Sequence, residues 1–184
     1  ALAQRRRGLR LLLVDARGPG DATRDPRTLA LSWGTCLTLQ RLGVWAQLAP
    51  RATAITTVHV SHAGGFGRTV LHAHEEDVPA LGYVVHAGEL ARALGEALAE
   101  HADVIDWQYH QLARPGLART QEVSLRLSPA RDDEAAPTWL HARLAACAEG
   151  GLDSAVGART RDYHQSAIIG EVTVAGGHGN QAWE

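Results

Sequence analysis

An apolar run that ends in an acid is the feature of this sequence that most constrains its fold. Leu11 to Val14 are four consecutive aliphatic residues, and Asp15 follows them directly. A short run of this kind predicts a strand that is buried on both faces in a parallel sheet. Asp15 would then lie at the carboxyl end of the strand, the edge at which open α/β sheets bind ligands. We therefore expect an α/β fold with a ligand-binding carboxylate at residue 15.

The residues before this strand predict the second half of a βαβ unit. The segment "ALAQRRR" at 1–7 is typical of the last turns of a helix, and Gly8 is a stop signal. In a dinucleotide-binding fold, an acid at this strand end needs a glycine-rich turn about 20 residues upstream. The strand begins too early in the sequence for such a turn, and the chain contains no methionine. We therefore expect this chain to be an internal piece of a longer protein.

The composition is that of an ordinary globular chain. It has 184 residues, of which 45% are hydrophobic, and a formal net charge of −2, which allows one domain and part of a second. No stretch approaches the ~18 consecutive apolar residues of a membrane span, and no signal peptide is recognisable. Cys36 and Cys147 fit no metal-binding spacing. We expect a reducing, cytoplasmic setting, with Cys147 as an inert buried thiol.

The basic residues give little support to a nucleic-acid partner. All 18 of them are arginine, and three stand together at 5–7. Three charges without interleaved aromatic residues make a poor nucleic-acid footprint. A solvated helix end is therefore the favoured interpretation of this run, with binding to an anionic lipid or a nucleic acid as the alternative.

Hydrophobic periodicity and glycine positions predict alternating helices and strands along the rest of the chain. Two helices are predicted at about 32–42 and up to residue 48, and an amphipathic helix at about 88–99. The segment "AITTVHVSHAGGFGRTVLHAH" predicts two antiparallel strands that turn at Gly64–Gly67. Further strands are predicted in "GYVV", "DVIDWQYHQLARPG" and "QEVSLRLSPA", at about 142–148 and at about Ser166–Val174.

Three clusters could be taken for functional sites, and each has a simpler interpretation. The glycines at 64–67 join two strands and lead into no helix, which favours a hairpin turn over a phosphate loop. His72 and His74, with Glu75 beside them, could ligate zinc, but no complete ligand shell is identifiable, which favours a solvated strand end. The acids at 132–134 predict an exposed turn. No G-x-S-x-G nucleophile elbow is present, so we name no catalytic and no metal-binding residue.

A second acid follows an apolar run later in the chain. "RLAACAEGG" ends in Glu149 and Gly150, and glycine at the carboxyl end of a strand lets the backbone approach a ligand closely. We therefore expect the strands at 11–14 and about 142–148 to share one sheet. Asp15 and Glu149 would then lie at the same edge.

Several stretches of the chain resemble the flavin-dependent aromatic hydroxylases of ubiquinone biosynthesis, most closely the branch that acts on 2-octaprenyl-6-methoxyphenol. The resemblance extends over almost the whole chain and keeps the order found in the family. "ITTVHVS" with the following Gly-Phe-Gly separates this branch from other flavin hydroxylases. The matching stretches are "DPRTLALSWGTCLTLQRLGVW", "ATAITTVHVSHAGGFGRT", "ALGYVV", "AEGGLDSAV" and "RDYHQSAIIGEV".

The resemblance implies an incomplete Rossmann-like FAD-binding domain of the para-hydroxybenzoate hydroxylase type, followed by the start of a β-rich substrate domain. Residues 1–160 would form the partial FAD/NAD(P)-binding domain, with a β-hairpin insertion at about 54–85. Residues 161–184 would begin the substrate-binding sheet. The first strand with its G-x-G-x-x-G turn and the later Gly-Asp-Ala-x-His motif are missing, so we expect the flanking coding sequence to supply both.

The resemblance also implies a set of cofactor-binding residues. Asp15 matches the acid that holds the FAD ribose, and Arg27 the arginine that lies along the flavin nucleotide. His86 stands near a cofactor-contacting position that is often Arg or Gln, and Val104 matches a strand residue whose backbone meets the adenine. Glu149-Gly150 replaces the Asp-Gly pair that touches both FAD and NAD(P)H, and the longer acid puts its hydrogen bond in question.

The implied activity is that of an FAD-dependent monooxygenase. It would hydroxylate a polyprenyl phenol substrate with NAD(P)H and O₂ through a flavin hydroperoxide, the cofactor carrying the hard chemistry. Such a substrate implies peripheral contact with the inner membrane and membership of a ubiquinone-biosynthesis complex. A sister hydroxylase of another aromatic substrate, or a non-catalytic fragment, are the alternatives. We expect the 184-residue chain alone to be inactive and to hold FAD weakly at best.

Overall fold

The architecture is known from a computed structural model, which describes residues 8–131, 136–148 and 161–184. The predicted helix end at 1–7, the acidic turn at 132–134, and Glu149 with Gly150 lie outside the described residues. The rest of the chain forms a mixture of short helices and β-sheets. Contacts divide it into two compact units, one made of Ala1–Pro19 with Asp103–Glu171, the other of Gly20–Ala102 with Val172–Glu184.

The described part of the chain contains eleven strands and three α-helices. In chain order, strands β1 to β11 are Leu11–Asp15, Thr28–Ser32, Thr53–Ile55, Thr57–Ser61, Arg68–His72, Gly82–His86, Ile105–Tyr109, Gln111–Arg119, Glu122–Pro129, Thr138–Ala142 and Gln181–Trp183. Helices α1 to α3 are Trp33–Arg41, Trp45–Leu48 and Ala87–Ala99. Short 3-10 turns occupy Asp21–Arg24, Ala49–Arg51 and Ala73–Glu76.

The first unit contains one parallel and one antiparallel sheet. Strands β1 and β7 pair in parallel, with Leu11 opposite Ile105 and Asp15 opposite Tyr109. Strands β8, β9 and β10 form an antiparallel sheet in the order β10-β9-β8. The parallel pair confirms that the aliphatic run before Asp15 is a strand and that the acid stands at its carboxyl end.

The second unit holds most of the buried core. Its two sheets have the orders β2-β6-β3 and β11-β4-β5. The core lies between the first of these sheets and the helices, because apolar residues of α1, α2, β6 and α3 converge there. Its most buried members are Leu39, Val44, Leu48, Val85 and Ala93.

The elements with the clearest local signals are confirmed. Helix α1 begins after Ser32, whose hydroxyl accepts a hydrogen bond from the Thr35 amide at 3.2 Å and so caps the helix. Strands β4 and β5 are antiparallel and joined through the glycine-rich turn, as the hairpin prediction required. The mixed α/β character of the chain is likewise confirmed, whereas the division near residue 160 stays a prediction.

Two strand predictions are wrong. The strand expected at about 142–148 lies at Thr138–Ala142 instead and pairs with β9 in the antiparallel sheet, not with β1. Alanine-rich residues 145–148 have low β-propensity, whereas "TWLHA" alternates as a half-buried strand does. The prediction that Asp15 and Glu149 lie at the same sheet edge therefore has no strand to support it, because β10 is in a different sheet from β1.

The strand predicted at Ser166–Val174 is also absent from the described structure, where residues 165–174 form no regular element. Ile168 and Ile169 are fully or largely exposed. A β-strand is stable only when a neighbour pairs with its backbone, and apolar content alone supplies no such neighbour. The strand of this tail is β11 instead, which pairs in parallel with β4.

The cysteines differ from each other in burial. Both are free thiols, and Cys147 is exposed, so its predicted burial is wrong. Cys36 is buried in helix α1, and this burial raises the pKa of its thiol. Neither lies in a disulfide, and no described helix is both long and apolar enough to cross a bilayer.

Helix α3 packs its first turn tightly on the backbone that precedes β2. A Cβ atom added at Gly88 would lie 2.3 Å from the Thr23 carbonyl oxygen, far closer than two such atoms can approach. The amide of Gly88 donates to the Asp25 carbonyl at 3.0 Å. Gly95, further along the same helix, has open space around the position of its missing Cβ.

We expect opposite effects from alanine at these two glycines. Gly88→Ala should lower the free energy of unfolding by about 1–3 kcal/mol, because the clash involves backbone that can move only together with the turn. Gly95→Ala should raise it by roughly 0.5–1 kcal/mol, since alanine favours a helix interior over glycine. Urea denaturation of both variants measures the two values. Equal effects would contradict the close contact between α3 and this turn.

An ion-pair chain connects the start of α3 to the 3-10 turn that follows α2. The Glu89 carboxylate accepts hydrogen bonds from the Arg51 guanidinium and, at 3.1 Å, from Arg92, which also donates to Glu96 at 2.7 Å. These bonds, Arg51 first and Arg92 next, hold the pKa of Glu89 below its ordinary value. Glu89 therefore stabilises the fold mainly in its charged form.

The contribution of Glu89 to stability should depend on pH. Because its folded-state pKa is lowered, the contribution is complete above the ordinary glutamate pKa of about 4.3. It is lost as the pH falls through the lower folded-state value. Glu89→Gln should thus be less stable than wild type at pH 7, and the two should converge as the pH approaches 3. Urea denaturation between pH 3 and pH 7 measures the free energy of unfolding of both proteins. Glu76→Gln, at an exposed glutamate, is the control: its difference from wild type should not change with pH in this way.

Candidate functional site

The candidate site is the carboxyl edge of the β1–β7 pair, where both strands end in polar residues. Asp15 ends β1, and its Oδ1 accepts hydrogen bonds from the Arg17 amide at 3.0 Å and from Arg17 Nε at 3.3 Å. The Asp15 side chain is 29% exposed. A carboxylate that is fixed by the turn after its strand, yet open to solvent, can accept hydrogen bonds from a ligand.

Tyr109 lies beside Asp15 on the neighbouring strand, and sequence reasoning missed it. Partial burial, and then the nearby Asp15 carboxylate, raise the pKa of its phenol. The ring stacks on that of Trp107, with the two centroids 4.8 Å apart and the planes 25° from parallel. Trp107 Nε1 is buried without a hydrogen-bond partner among the described residues. The edge therefore combines a carboxylate with an aromatic pair and a neutral phenol.

His110 joins three segments at this edge. Its φ angle is +56°, in the left-handed region that few residues other than glycine adopt. Its amide donates to the Arg17 carbonyl at 3.4 Å, and its own carbonyl accepts from the Ala130 amide at 2.8 Å. These bonds tie the ends of β1, β7 and β9 together and fix the backbone around Asp15 and Tyr109.

Val104 lies at the other end of the same strand pair. Its carbonyl accepts a hydrogen bond from the Leu11 amide at 3.3 Å, immediately before β7 begins. Five residues separate Val104 from Tyr109, which corresponds to roughly 16 Å along an extended strand. The structure therefore does not bring Val104 together with Asp15.

Arg27 lies in the second unit, just before β2. Its guanidinium forms a two-pronged pair with Asp25, through Nε at 2.9 Å and Nη2 at 2.6 Å. This hydrogen bonding raises the pKa of Arg27 further above its already high value. The Arg27 side chain is nevertheless 70% exposed. The guanidinium is therefore permanently charged, oriented by its two bonds to Asp25, and accessible to an anion.

His86 lies next to Arg27 in the second unit. It is the last residue of β6, opposite Thr28 of β2, and its Nδ1 is 3.4 Å from the Pro26 carbonyl. Because a carbonyl can only accept, this contact requires the hydrogen on Nδ1. The backbone amide of Ala87 donates to the Arg27 carbonyl at 2.7 Å. The structure thus brings together two of the residues that the resemblance assigns to the cofactor.

The first two amides of α3 are not free to bind a phosphate. These amides, at Ala87 and Gly88, already donate to carbonyls of the preceding turn. A helix start binds an anion only when such amides are free. A phosphate near this helix start could not use these two amides, whereas the exposed Arg27 guanidinium lies on the same turn.

The histidines near the hairpin form a pair without a metal-binding arrangement among the described residues. The rings of His72 and His74 have centroids 5.2 Å apart, and His72 Nδ1 contacts the Thr57 hydroxyl at 3.2 Å. His72 ends β5, but His74 lies in a 3-10 turn and not on the strand. No group of three or more potential ligands occurs in the described part of the chain.

Comparisons with known proteins identify the fold. No protein-family model matches the sequence. Among solved structures, p-nitrophenol 4-monooxygenase PnpA from Pseudomonas putida DLL-E4 matches 75% of this chain at a TM-score of 0.57 and 15% identity. The flavin-dependent monooxygenase PieE, solved in complex with FAD and substrate, matches 77% at a TM-score of 0.58 and 17% identity.

The chain corresponds to only part of each of these proteins, covering 34% of PnpA and 26% of PieE. At these identities the likeness concerns the fold and not the substrate. Both neighbours are monooxygenases, and PieE is named as flavin-dependent. The chain thus adopts part of a fold that flavin-dependent monooxygenases use.

Proposed function

We propose that this chain is part of an FAD-dependent monooxygenase that hydroxylates a polyprenylated phenol in ubiquinone biosynthesis, with NAD(P)H as the reductant. The observation that carries the proposal is the position of Asp15, at the carboxyl end of a parallel strand in a fold shared with flavin monooxygenases. The family resemblance of the sequence supports the narrower substrate and pathway. It also supports action at the cytoplasmic face of the inner membrane, within a biosynthetic complex.

The residues at the edge of β1 and β7 suit the adenosine part of FAD. A ribose offers hydroxyl groups that donate hydrogen bonds, and the Asp15 carboxylate is an acceptor fixed by its bonds from Arg17. A carboxylate at this strand end is the group that dinucleotide-binding folds use for the ribose. Asp15 is therefore assigned to hold the ribose.

Arg27 and His86 are assigned to the phosphate-bearing part of the cofactor. The Arg27 guanidinium is charged at every physiological pH and exposed, although paired with Asp25. His86 stands beside it through the Pro26 and Thr28 contacts. Glu149 and Gly150 are assigned to FAD and NAD(P)H by resemblance alone. The resemblance also matches Val104 to the adenine, but Val104 lies at the amino end of the β1–β7 pair and Asp15 at the carboxyl end, so we do not propose that contact.

When bound, the flavin supplies the redox and oxygen-transfer chemistry. The part of this chain is to bind the cofactor: in the first unit Asp15 would accept hydrogen bonds from the ribose, and in the second unit Arg27 is assigned to the nucleotide by resemblance alone. No described side chain is needed as a nucleophile. A sister hydroxylase of another aromatic substrate would bind FAD in the same way. Stimulation of NAD(P)H oxidation in the complete protein by a polyprenylated phenol, and not by other aromatic compounds, distinguishes the proposed enzyme from such a sister hydroxylase.

Replacing Asp15 should weaken FAD binding. A charge-assisted hydrogen bond contributes about 1.5–3 kcal/mol, so Asp15→Ala should raise the Kd for FAD about tenfold or more. Quenching of flavin fluorescence on titration of the complete protein, with both flanking segments restored, measures the Kd.

Asp106→Ala provides the matched control. Asp106 is an acid on the adjacent strand, but it pairs with Leu12 and so lies on the opposite face from Asp15. Its removal should leave the Kd within about twofold, a change too small to reflect a lost contact. Equal weakening by both substitutions, or no binding of FAD by the complete wild-type protein, would count against the proposal.

A further inference from the structure

The turn of the β4–β5 hairpin presents an exposed aromatic ring. The last pair of the ladder is Ser61 with Arg68, and residues 61–69 are all exposed. Phe66, the only phenylalanine of the chain, lies in this turn and is fully exposed. Gly64 and Gly67 adopt left-handed φ angles of +75° and +96°, and a Cβ atom added at either would meet open space. The backbone beside Phe66 is therefore open to solvent as well.

Trp183 lies near the same end of the hairpin. Strand β11 pairs with β4, which places Trp183 opposite His59. The two rings have centroids 4.3 Å apart, and His59 is 9% exposed whereas Trp183 is 69% exposed. The buried imidazole thus supports an indole that is mostly open to solvent. His59 precedes Ser61 by two residues, so Trp183 lies roughly 7 Å along the strand from the start of the turn.

The charge of this end is small. The sequence from 57 to 74 contains no acid, and Arg68 is exposed at the turn without an ion pair to any described residue. Glu184 lies beside the end of β4, because its carbonyl accepts a hydrogen bond from the Ser61 amide at 2.8 Å. One cation and one carboxylate nearly cancel, so the exposed rings dominate whatever this end binds.

The exposed area fits a lipid surface better than a protein partner. Phe and Trp side chains bury about 150–250 Å² each, whereas a standard protein interface buries about 800 Å² on each partner. A bilayer needs no such area, since single aromatic side chains lie favourably at its headgroup level. Apolar surfaces that bind a bilayer enter it by about 5–10 Å. This depth includes both the turn and the level of Trp183.

We propose that the turn of the β4–β5 hairpin is a membrane-docking element, with Phe66 entering the bilayer and Trp183 at the headgroup level. The inference rests on the proposed function for its lipid-tailed substrate, and it adds the surface through which the protein reaches that substrate. Burial of Phe66 supplies most of the binding. Arg68 adds a weaker attraction to anionic headgroups.

Sedimentation with sucrose-loaded vesicles tests the proposal on the complete, FAD-loaded protein with both flanking segments restored. Wild type should bind vesicles of phosphatidylcholine mixed with phosphatidylglycerol. Phe66→Ser should lower the partition coefficient at least about tenfold, as expected for loss of one buried aromatic side chain. Arg68→Gln should lower it about fivefold with these vesicles. With phosphatidylcholine alone, Arg68→Gln should have almost no effect.

Two further variants separate insertion of the turn from general adhesion. Leu144→Ser removes an apolar side chain that is 83% exposed in the first unit, and it should leave vesicle binding unchanged. Phe66→Trp keeps an aromatic ring at the turn and should bind as wild type does. Lipids with brominated acyl chains should quench more of its tryptophan emission than of the wild-type emission. Thermal unfolding and retained FAD establish that each variant is folded.

The outcomes distinguish this inference from the proposed function. Equal vesicle binding by Phe66→Ser and wild type would overturn the docking element, as would an equal loss in Leu144→Ser. Self-association that depends on Phe66, without vesicle binding, would assign the turn to a second copy of the chain and also overturn it. A wild-type protein that holds FAD but binds no vesicles would leave the proposed function standing. Vesicle binding that depends on Phe66, in a protein that binds no FAD, would overturn the proposed function and leave the docking element.

Discussion

The parallel pairing of β1 with β7 is the interaction on which the candidate site depends. It joins residues 11–15 to residues 105–109, with most of the second unit inserted in the sequence between them. Closing so long a loop costs conformational entropy, although that cost grows only slowly with loop length. The pairing sets the register in which Asp15 faces Tyr109. A shift of one residue would move the carboxylate to the opposite face from the aromatic pair.

In the second unit, the backbone of the turn before β2 positions the start of α3. The turn before β2 supplies carbonyl groups to the first amides of α3 and a carboxylate to Arg27. Gly88 allows this close approach, because any side chain there would collide with the Thr23 carbonyl. These contacts occupy the first two amides of α3 and pair the exposed Arg27 guanidinium with Asp25.

Features whose signal is local could be predicted from the sequence. Helix α1 shows a capping serine and helical spacing, α3 is amphipathic, and the hairpin of β4 and β5 has glycines at its turn. Asp15 could be identified as a ligand-binding candidate for the same reason, since a strand and its end are visible within five residues. Each of these needs only information carried by neighbouring positions.

Features that depend on distant pairing could not be predicted. Strands were predicted at about 142–148 and 166–174, but apart from Ala142, the last residue of β10, neither segment pairs with a strand in the described structure, whereas "TWLHA" and "QAW" do. Tyr109 was overlooked because only the register of β1 and β7 places it beside Asp15. The one available signal was its position at the end of "IDWQY", a run that finishes at the same sheet edge as the run before Asp15.

The magnitudes indicate what the edge of β1 and β7 can contribute to nucleotide recognition. One charge-assisted bond to Asp15 contributes about 1.5–3 kcal/mol. Association costs about 4–15 kcal/mol in lost freedom and ordering. This contact does not offset even the smallest of these costs, so tight retention of a dinucleotide requires contacts to its phosphates as well. The strength of binding would therefore depend on the groups that meet the pyrophosphate.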